Sequence, residues 1–260
     1  MNRYGVKIKW NTIACFEIRI GNTSIVTDPC IGISPGTDAT YETVEACDII
    51  TLSHVHYDHI TDIPALAKKF DPLILMGELS ATPMIEWADL NPVKVYPVLP
   101  NLDLQFEDVA IRPLFGRHVD QNRTNSQYLE LRKNPKYASY DPKMMDMFVL
   151  GSTEYRNYLF TAENGTKILI WGNDLTYTQF KILEPLKPDI AIMQLSKQGP
   201  EELAEFASKL GVKVLIPHHM DFSKTKEVYV PLVERMKKRF EELTPGGVGV
   251  NPEHGVWMEF

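Results

Sequence analysis

The stretch Thr51-Leu52-Ser53-His54-Val55-His56-Tyr57-Asp58-His59 constrains this chain more than any other. The run from Asp48 to Ser53 is apolar and then turns polar, as a buried strand does at its end. Four potential metal ligands follow at once: His54, His56, Asp58 and His59. Alternate side chains of extended backbone share a face, so His54 and His56 can meet one ion. Asp58 and His59 lie one turn further on and can reach a second ion. Imidazole nitrogen and carboxylate oxygen suit zinc, manganese or iron. The bland competitor is a chance histidine cluster on a solvated loop, and a position directly beyond a buried strand argues against it.

The rest of the chain mixes strands and helices. Residues Val6 to Ile20 alternate imperfectly, with Asn11-Thr12 and Gly21-Asn22 as turn signals, and Ser24–Val26 gives a third strand ending at Asp28-Pro29. Helical spacing is expected over Ile63–Phe70 and over Leu79–Trp87, the latter with Ser80 as its cap. Strands are expected at Leu73–Met76 and Val93–Val95, and a hairpin over Leu102–Leu114. Residues from 119 to about 150 lack periodicity and are read as an insertion covering a site. Beyond it, Asn164-Gly165 turns a hairpin, and strands then alternate with helices near Thr178–Leu183, Pro200–Lys209 and Val228–Arg239. Neither half looks independent, so residues 1–260 are taken as one domain.

Composition narrows the class. A chain that is 44% hydrophobic and 23% charged can bury a sizeable core. Its net charge of -7 removes the simple electrostatic case for nucleic acid or an anionic membrane. No run approaches a membrane span, and no secretory h-region follows the start. Cys15, Cys30 and Cys47 form no pair with metal or disulfide spacing. They point to a reducing, cytoplasmic setting.

The HxHxDH pattern resembles the signature of the metallo-β-lactamase superfamily, and the resemblance extends over nearly the whole chain. It implies an α+β fold, a four-layer αβ/βα sandwich, and two divalent metal ions, zinc or manganese first and iron or nickel next. By the same resemblance His118, in Phe115-Gly116-Arg117-His118, joins His54 and His56 at one metal. Asp174, in Ile170-Trp171-Gly172-Asn173-Asp174, bridges both metals. His219 is selected over His218 by a Pro-x-His pattern at Pro217-His218-His219, and Asp58, His59, Asp174 and His219 hold the second metal. The L-ascorbate-6-phosphate lactonase-like hydrolases are the most similar subgroup. They usually carry Gly-His where this chain has Thr12-Ile13.

The charges suggest a mechanism. Two divalent ions and two carboxylates leave the site near +2, so a bridging hydroxide should form at neutral pH and attack a carbonyl carbon or phosphorus. Asp58 is the candidate proton acceptor. A positive site favours a small anionic substrate such as a sugar-phosphate lactone. A phosphodiesterase and a non-catalytic metal-binding protein are the alternatives. An amidohydrolase barrel would need eightfold strand-helix repetition, which is missing. A homo-oligomer would fit the family's habit. Arg117 and the basic residues of the insertion (Arg123, Arg132, Lys133, Lys136 and Lys143) are read either as an anion clamp or as a solvated loop. Lys197 carries the same two readings. His254 is read as a turn residue outside the site, and Asp28 as a strand-end residue able to orient His54 or His56.

Overall fold

The computed structural model describes residues 3–34, 37–118, 129–130, 133–135, 138–172, 175–195, 199–222 and 224–260. Two seven-stranded sheets pack face to face. The first holds β1 (Val6–Thr12), β2 (Cys15–Ile20), β3 (Thr23–Thr27), β4 (Ile49–Thr51), β5 (Leu73–Met76) and β6 (Val95–Pro97) in chain order, with β14 (Trp257–Glu259) beside β1. The second runs in strictly reversed order from β13 (Val248–Gly249) through β12 (Val214–His218), β11 (Ile190–Gln194), β10 (Lys167–Trp171), β9 (Arg156–Ala162) and β8 (Val109–Phe115) to β7 (Leu104–Gln105).

The period-two pattern sorts the core. In β4 and β5, Ile49 and Leu75 join the cluster between the sheets, while Ile50 and Ile74 face the other way. That second face is covered by α2 (Ile63–Phe70) and α3 (Glu78–Ala88) through Ile63, Leu66, Ala81 and Met84. The central cluster continues past the second sheet to α6 (Tyr177–Leu183), α7 (Pro200–Lys209) and α8 (Lys226–Leu243) through Leu183, Leu203, Phe206, Val233 and Phe240. Helix, sheet, sheet, helix is the expected four-layer α+β sandwich. Among the described residues, no helix is long and apolar enough to cross a membrane.

Two local expectations need correction. The β1–β2 turn falls at Ile13-Ala14, not at Asn11-Thr12. Ile13 takes a left-handed φ of 46° there, because its N–H donates to Asp221 at 3.1 Å and its carbonyl accepts from His219 N–H at 2.8 Å and Trp10 Nε1 at 3.2 Å. α3 starts at Glu78 with Gly77 as its cap residue, not at Ser80. A remote carboxylate does the capping: Glu154 accepts from the Leu79 and Ser80 N–H groups, each at 3.1 Å. Among the described residues, the end of the expected insertion carries α4 (Pro142–Asp146) and leads into α5 (Phe148–Thr153). Met144 and Met145 of α4, and Met147 between the two helices, pack into the core on the α2–α3 side of the first sheet.

Candidate metal centre

The C-terminal ends of several strands meet at one edge of the sandwich. β4 runs into Ser53 and His54, β8 into His118, β10 into Gly172, and β12 into His218 and His219, while Gln194 ends β11. Irregular backbone beyond a strand end is free to aim its side chains, whereas residues within the strand are committed to the ladder. His56 leads into the single-turn α1 (Tyr57–Ile60), which turns Asp58 and His59 back toward the same point.

Two groups of donor atoms result, one of His54, His56 and His118 and one of Asp58, His59 and His219. Within each group all the donor atoms lie within 4.8 Å of one another. The groups adjoin, since the His54 and His59 ring centroids are 4.0 Å apart. Together with Tyr155 and Gln194 these six residues line a pocket of about 150 Å³. Among the described residues, no Lys or Arg lines it.

The histidines are tied from behind, so the nitrogens left for the pocket can be assigned. His59 Nδ1 lies 3.0 Å from the Asp28 carboxylate, which only accepts, so Nδ1 carries the proton and Nε2 faces Asp58 at 3.8 Å. Ser53 donates its hydroxyl to Asp28 at 2.7 Å and therefore accepts from His54 Nδ1 at 2.9 Å. His56 is held by its other nitrogen: Nε2 donates to the Phe148 carbonyl at 3.0 Å, with Ser152 Oγ 2.9 Å away. Phe148 also stacks on the His56 ring, with centroids 4.0 Å apart and planes 4° off parallel. These contacts fix tautomer and ring orientation, as the outer groups of metal sites do.

Protonation states agree with ligand duty. Burial holds the His56 imidazole well below its ordinary range, and the neighbouring His118 adds to the effect. Burial alone would raise the Asp58 carboxyl. The facing His59 and the hydrogen bond and charge of His219 outweigh it and hold Asp58 below the usual carboxylate range. A neutral imidazole at His56 and an ionised carboxylate at Asp58 are the states in which these two side chains bind a divalent ion. The donor set therefore fits a pair of such ions.

The placement of the expected residues is mixed. His54, His56, Asp58, His59, His118 and His219 converge. Asp174 and Lys197 lie outside the described residues, as do Arg123, Arg132 and Lys136. His218 points away: its Nε2 lies 3.1 Å from the Trp171 carbonyl, and burial pushes its imidazole down to about 3. Asp28 holds His59 directly and reaches His54 through Ser53. His56, its other expected partner, is instead held by α5. His254 is outside the pocket as expected, yet it is no idle turn residue, since it bonds Asp221 at 3.1 Å and lies against Trp10. Arg117, Lys133 and Lys143 are exposed. Ser53, Tyr155, Gln194, Phe148 and Ser152 went unnoticed in the sequence. Only Ser53, adjacent to His54, and Gln194, a polar end to a buried strand, left a local signal.

Comparison with known proteins agrees with this geometry. Residues 7–219 match the Beta-lactamase superfamily domain. A UPF0173 metal-dependent hydrolase of Polaromonas sp. is 28% identical over 226 residues, covering 82% of this chain and 76% of its own. One from Geobacillus sp. is 26% identical over 257 residues, covering 96% and 99%. Among solved structures, Igni18, a novel metallo hydrolase from the archaeon Ignicoccus hospitalis, superposes with a TM-score of 0.68 at 14% identity, covering 98% of this chain and 99% of its own.

Proposed function

This chain belongs to the metallo-β-lactamase superfamily, and from that membership we propose that it is a metal-dependent hydrolase with two divalent ions at the strand ends. His54, His56 and His118 hold the first ion. Asp58, His59 and His219 would hold the second, with Asp174, which lies outside the described residues, as the further ligand that the family resemblance implies. One observation carries this reading: two three-donor groups adjoin in one pocket, and His54, His56 and His59 are each held from behind by the nitrogen turned away from it. The metal-dependent hydrolases to which the chain is similar support it.

When bound, zinc or manganese supplies Lewis acidity and brings the pKa of water near neutrality, so that hydroxide is available for attack. The chain's own part is orientation and proton handling. Asp28, Ser53 and the Phe148 carbonyl present the correct imidazole nitrogens. Asp58, kept ionised, receives a proton from the attacking water. The substrate class is a small anionic molecule, a lactone first. The charge of the ions supplies the attraction, and no lysine or arginine is among the described residues that line the pocket. Free, buried cysteines support a cytoplasmic location.

The test is hydrolysis by zinc- and manganese-loaded protein on paired panels of lactones and phosphodiesters. Preferential lactone opening supports the lactonase reading. Preferential phosphodiester cleavage replaces it with the phosphodiesterase one. Stoichiometric metal without turnover on either panel refutes catalysis and leaves a metal-binding protein.

A further inference from the structure

We propose that Asp221 is a positioning residue of this centre: by gripping the backbone of Ile13 it fixes the backbone of His219, and so aims that imidazole at Asp58. The proposal rests on the hydrolase reading only in giving His219 a ligand's role.

His219 needs such a device because its ring is not anchored as three of the other histidines are. Ser53, the Phe148 carbonyl and Asp28 hold His54, His56 and His59 from behind. His219 Nε2 stands 3.5 Å from Asp58 Oδ2, and among the described residues its buried Nδ1 has no hydrogen-bond partner. The direction of the ring is therefore set by the backbone that carries it. That backbone is left-handed, with a φ of 58° directly beyond β12. A residue with a Cβ enters that region at a cost and stays there only where its surroundings hold it. The hold comes from the β1–β2 turn, where the Ile13 carbonyl accepts the His219 N–H at 2.8 Å.

Ile13 is left-handed too, at 46°, and a β-branched side chain is poorly suited to that conformation. Asp221 keeps it there, with both carboxylate oxygens 3.1 Å from the Ile13 amide nitrogen. Ile13 is thus held at its N–H by Asp221 and lends its carbonyl to His219, two positions before Asp221. The two contacts close a small ring between stretches of chain 208 positions apart. The carboxylate is fully buried and cannot swing aside. Ser34 donates its hydroxyl to Oδ2 at 2.6 Å, and His254 Nε2 lies 3.1 Å from the same oxygen. Trp10 completes the brace: its Nε1 donates to the Ile13 carbonyl at 3.2 Å, and its ring lies against His254 with centroids 4.1 Å apart. The end of β1, the loop after β3 and the segment before β14 therefore converge on the backbone of one proposed ligand.

The experiment compares the full-length wild type with Asp221→Ala, Ile13→Gly and the double variant. Thermal unfolding reads stability, zinc titration of metal-free protein gives stoichiometry and affinity, and hydrogen exchange of metal-free protein reads the His219 amide. Asp221→Ala should lose protection of that amide and bind zinc at one of its two sites about tenfold more weakly, as loss of an outer contact does. Glycine adopts the Ile13 conformation without strain. Ile13→Gly should therefore lower Tm, because it empties a buried position, while the His219 amide stays protected. The double variant should be less stable than Asp221→Ala and yet bind zinc more tightly. A purely structural Asp221 would move stability and affinity together; that result overturns the proposal, and so does a protected His219 amide in Asp221→Ala. If Asp221→Ala does not fold, exchange of the wild type decides: the Ile13 and His219 amides must open together, and independent opening overturns the proposal. If the wild type takes up no zinc, the hydrolase reading fails, while hydrogen exchange still decides the role of Asp221.

Discussion

Asp28→Asn changes one oxygen to nitrogen and tests whether the outer carboxylate orders the protons of the centre. Asp28 is buried and accepts three hydrogen bonds, from Ser53 N–H at 2.6 Å, Ser53 Oγ at 2.7 Å and His59 Nδ1 at 3.0 Å. Asparagine can keep its oxygen on the Ser53 amide, but its NH₂ then faces two donors. Bonds to an ionised acceptor contribute about 1.5–3 kcal/mol each, so losing two at full strength costs about 3–6 kcal/mol. The cheapest relief moves the His59 proton from Nδ1 to Nε2 and turns the Ser53 hydroxyl away. That keeps the loss near 3 kcal/mol, or about 6–12 °C in Tm for a chain of this size. The relief has a consequence for binding, because His59 Nε2 is the nitrogen that faces Asp58. A protonated Nε2 cannot ligate, so zinc affinity should fall by about 10–100-fold. Calorimetry and zinc titration of the same preparation read both numbers. A lowered Tm with wild-type zinc affinity would make Asp28 a structural residue only and refute the tautomer reasoning.

Other expectations follow from neighbouring contacts. His219→Ala should remove metal from the second group, while His218→Ala should leave stoichiometry intact, because His218 turns toward the Trp171 carbonyl; metal analysis showing the reverse order would reassign the ligand. Gly151→Ala places a Cβ 2.6 Å from His56 Cδ2 and 3.0 Å from the His56 amide nitrogen, so overpacking should cost about 1–3 kcal/mol in thermal unfolding and disturb metal binding. Ser152→Ala should be milder in both assays, since the Phe148 carbonyl still holds His56 Nε2. Burial raises the Asp62 carboxyl to about 6, against a backbone hydrogen bond from Ile31 that lowers it. Between pH 4 and pH 6 the folded chain then binds more protons at Asp62 than the unfolded chain does, so this contribution to stability is fullest below about pH 4 and is lost as pH rises through about 6. Asp62→Asn should flatten that part of the stability–pH curve, and an unchanged slope would refute the assignment.

Much of the centre could be read from the sequence because its ligands sit at strand ends, where local pattern and chemistry coincide. The buried run Asp48–Ser53, followed by alternating histidines, announces both a strand and a donor pair, and no distant residue has to be known. The layered fold was legible for a similar reason. Alternation in the strands and helical spacing in α2, α7 and α8 are period signals that burial of one face imposes on the sequence itself. His118 and His219 needed the family resemblance, since a lone histidine after a strand carries no pattern of its own.

The tertiary structure decided what depends on partners far apart in the chain. α3 begins at Glu78 because Glu154 supplies the acceptors that a local cap residue otherwise would. The first turn falls at Ile13-Ala14 because Asp221 and the His219 amide claim the Ile13 backbone, overriding the turn preference of Asn11-Thr12. The aperiodic segment before β9 supplies the Phe148 carbonyl to His56, a contact whose donor and acceptor are 92 positions apart. Gly116 and Gly172 look like ordinary turn glycines in the sequence, and only Tyr155, packed between them, shows that they are there for room. Amino-acid order alone settles which donors are present and which strands deliver them. The fold determined which nitrogen of each histidine is presented, because tautomer and ring plane are set by hydrogen-bond partners that only long-range packing brings within about 3 Å.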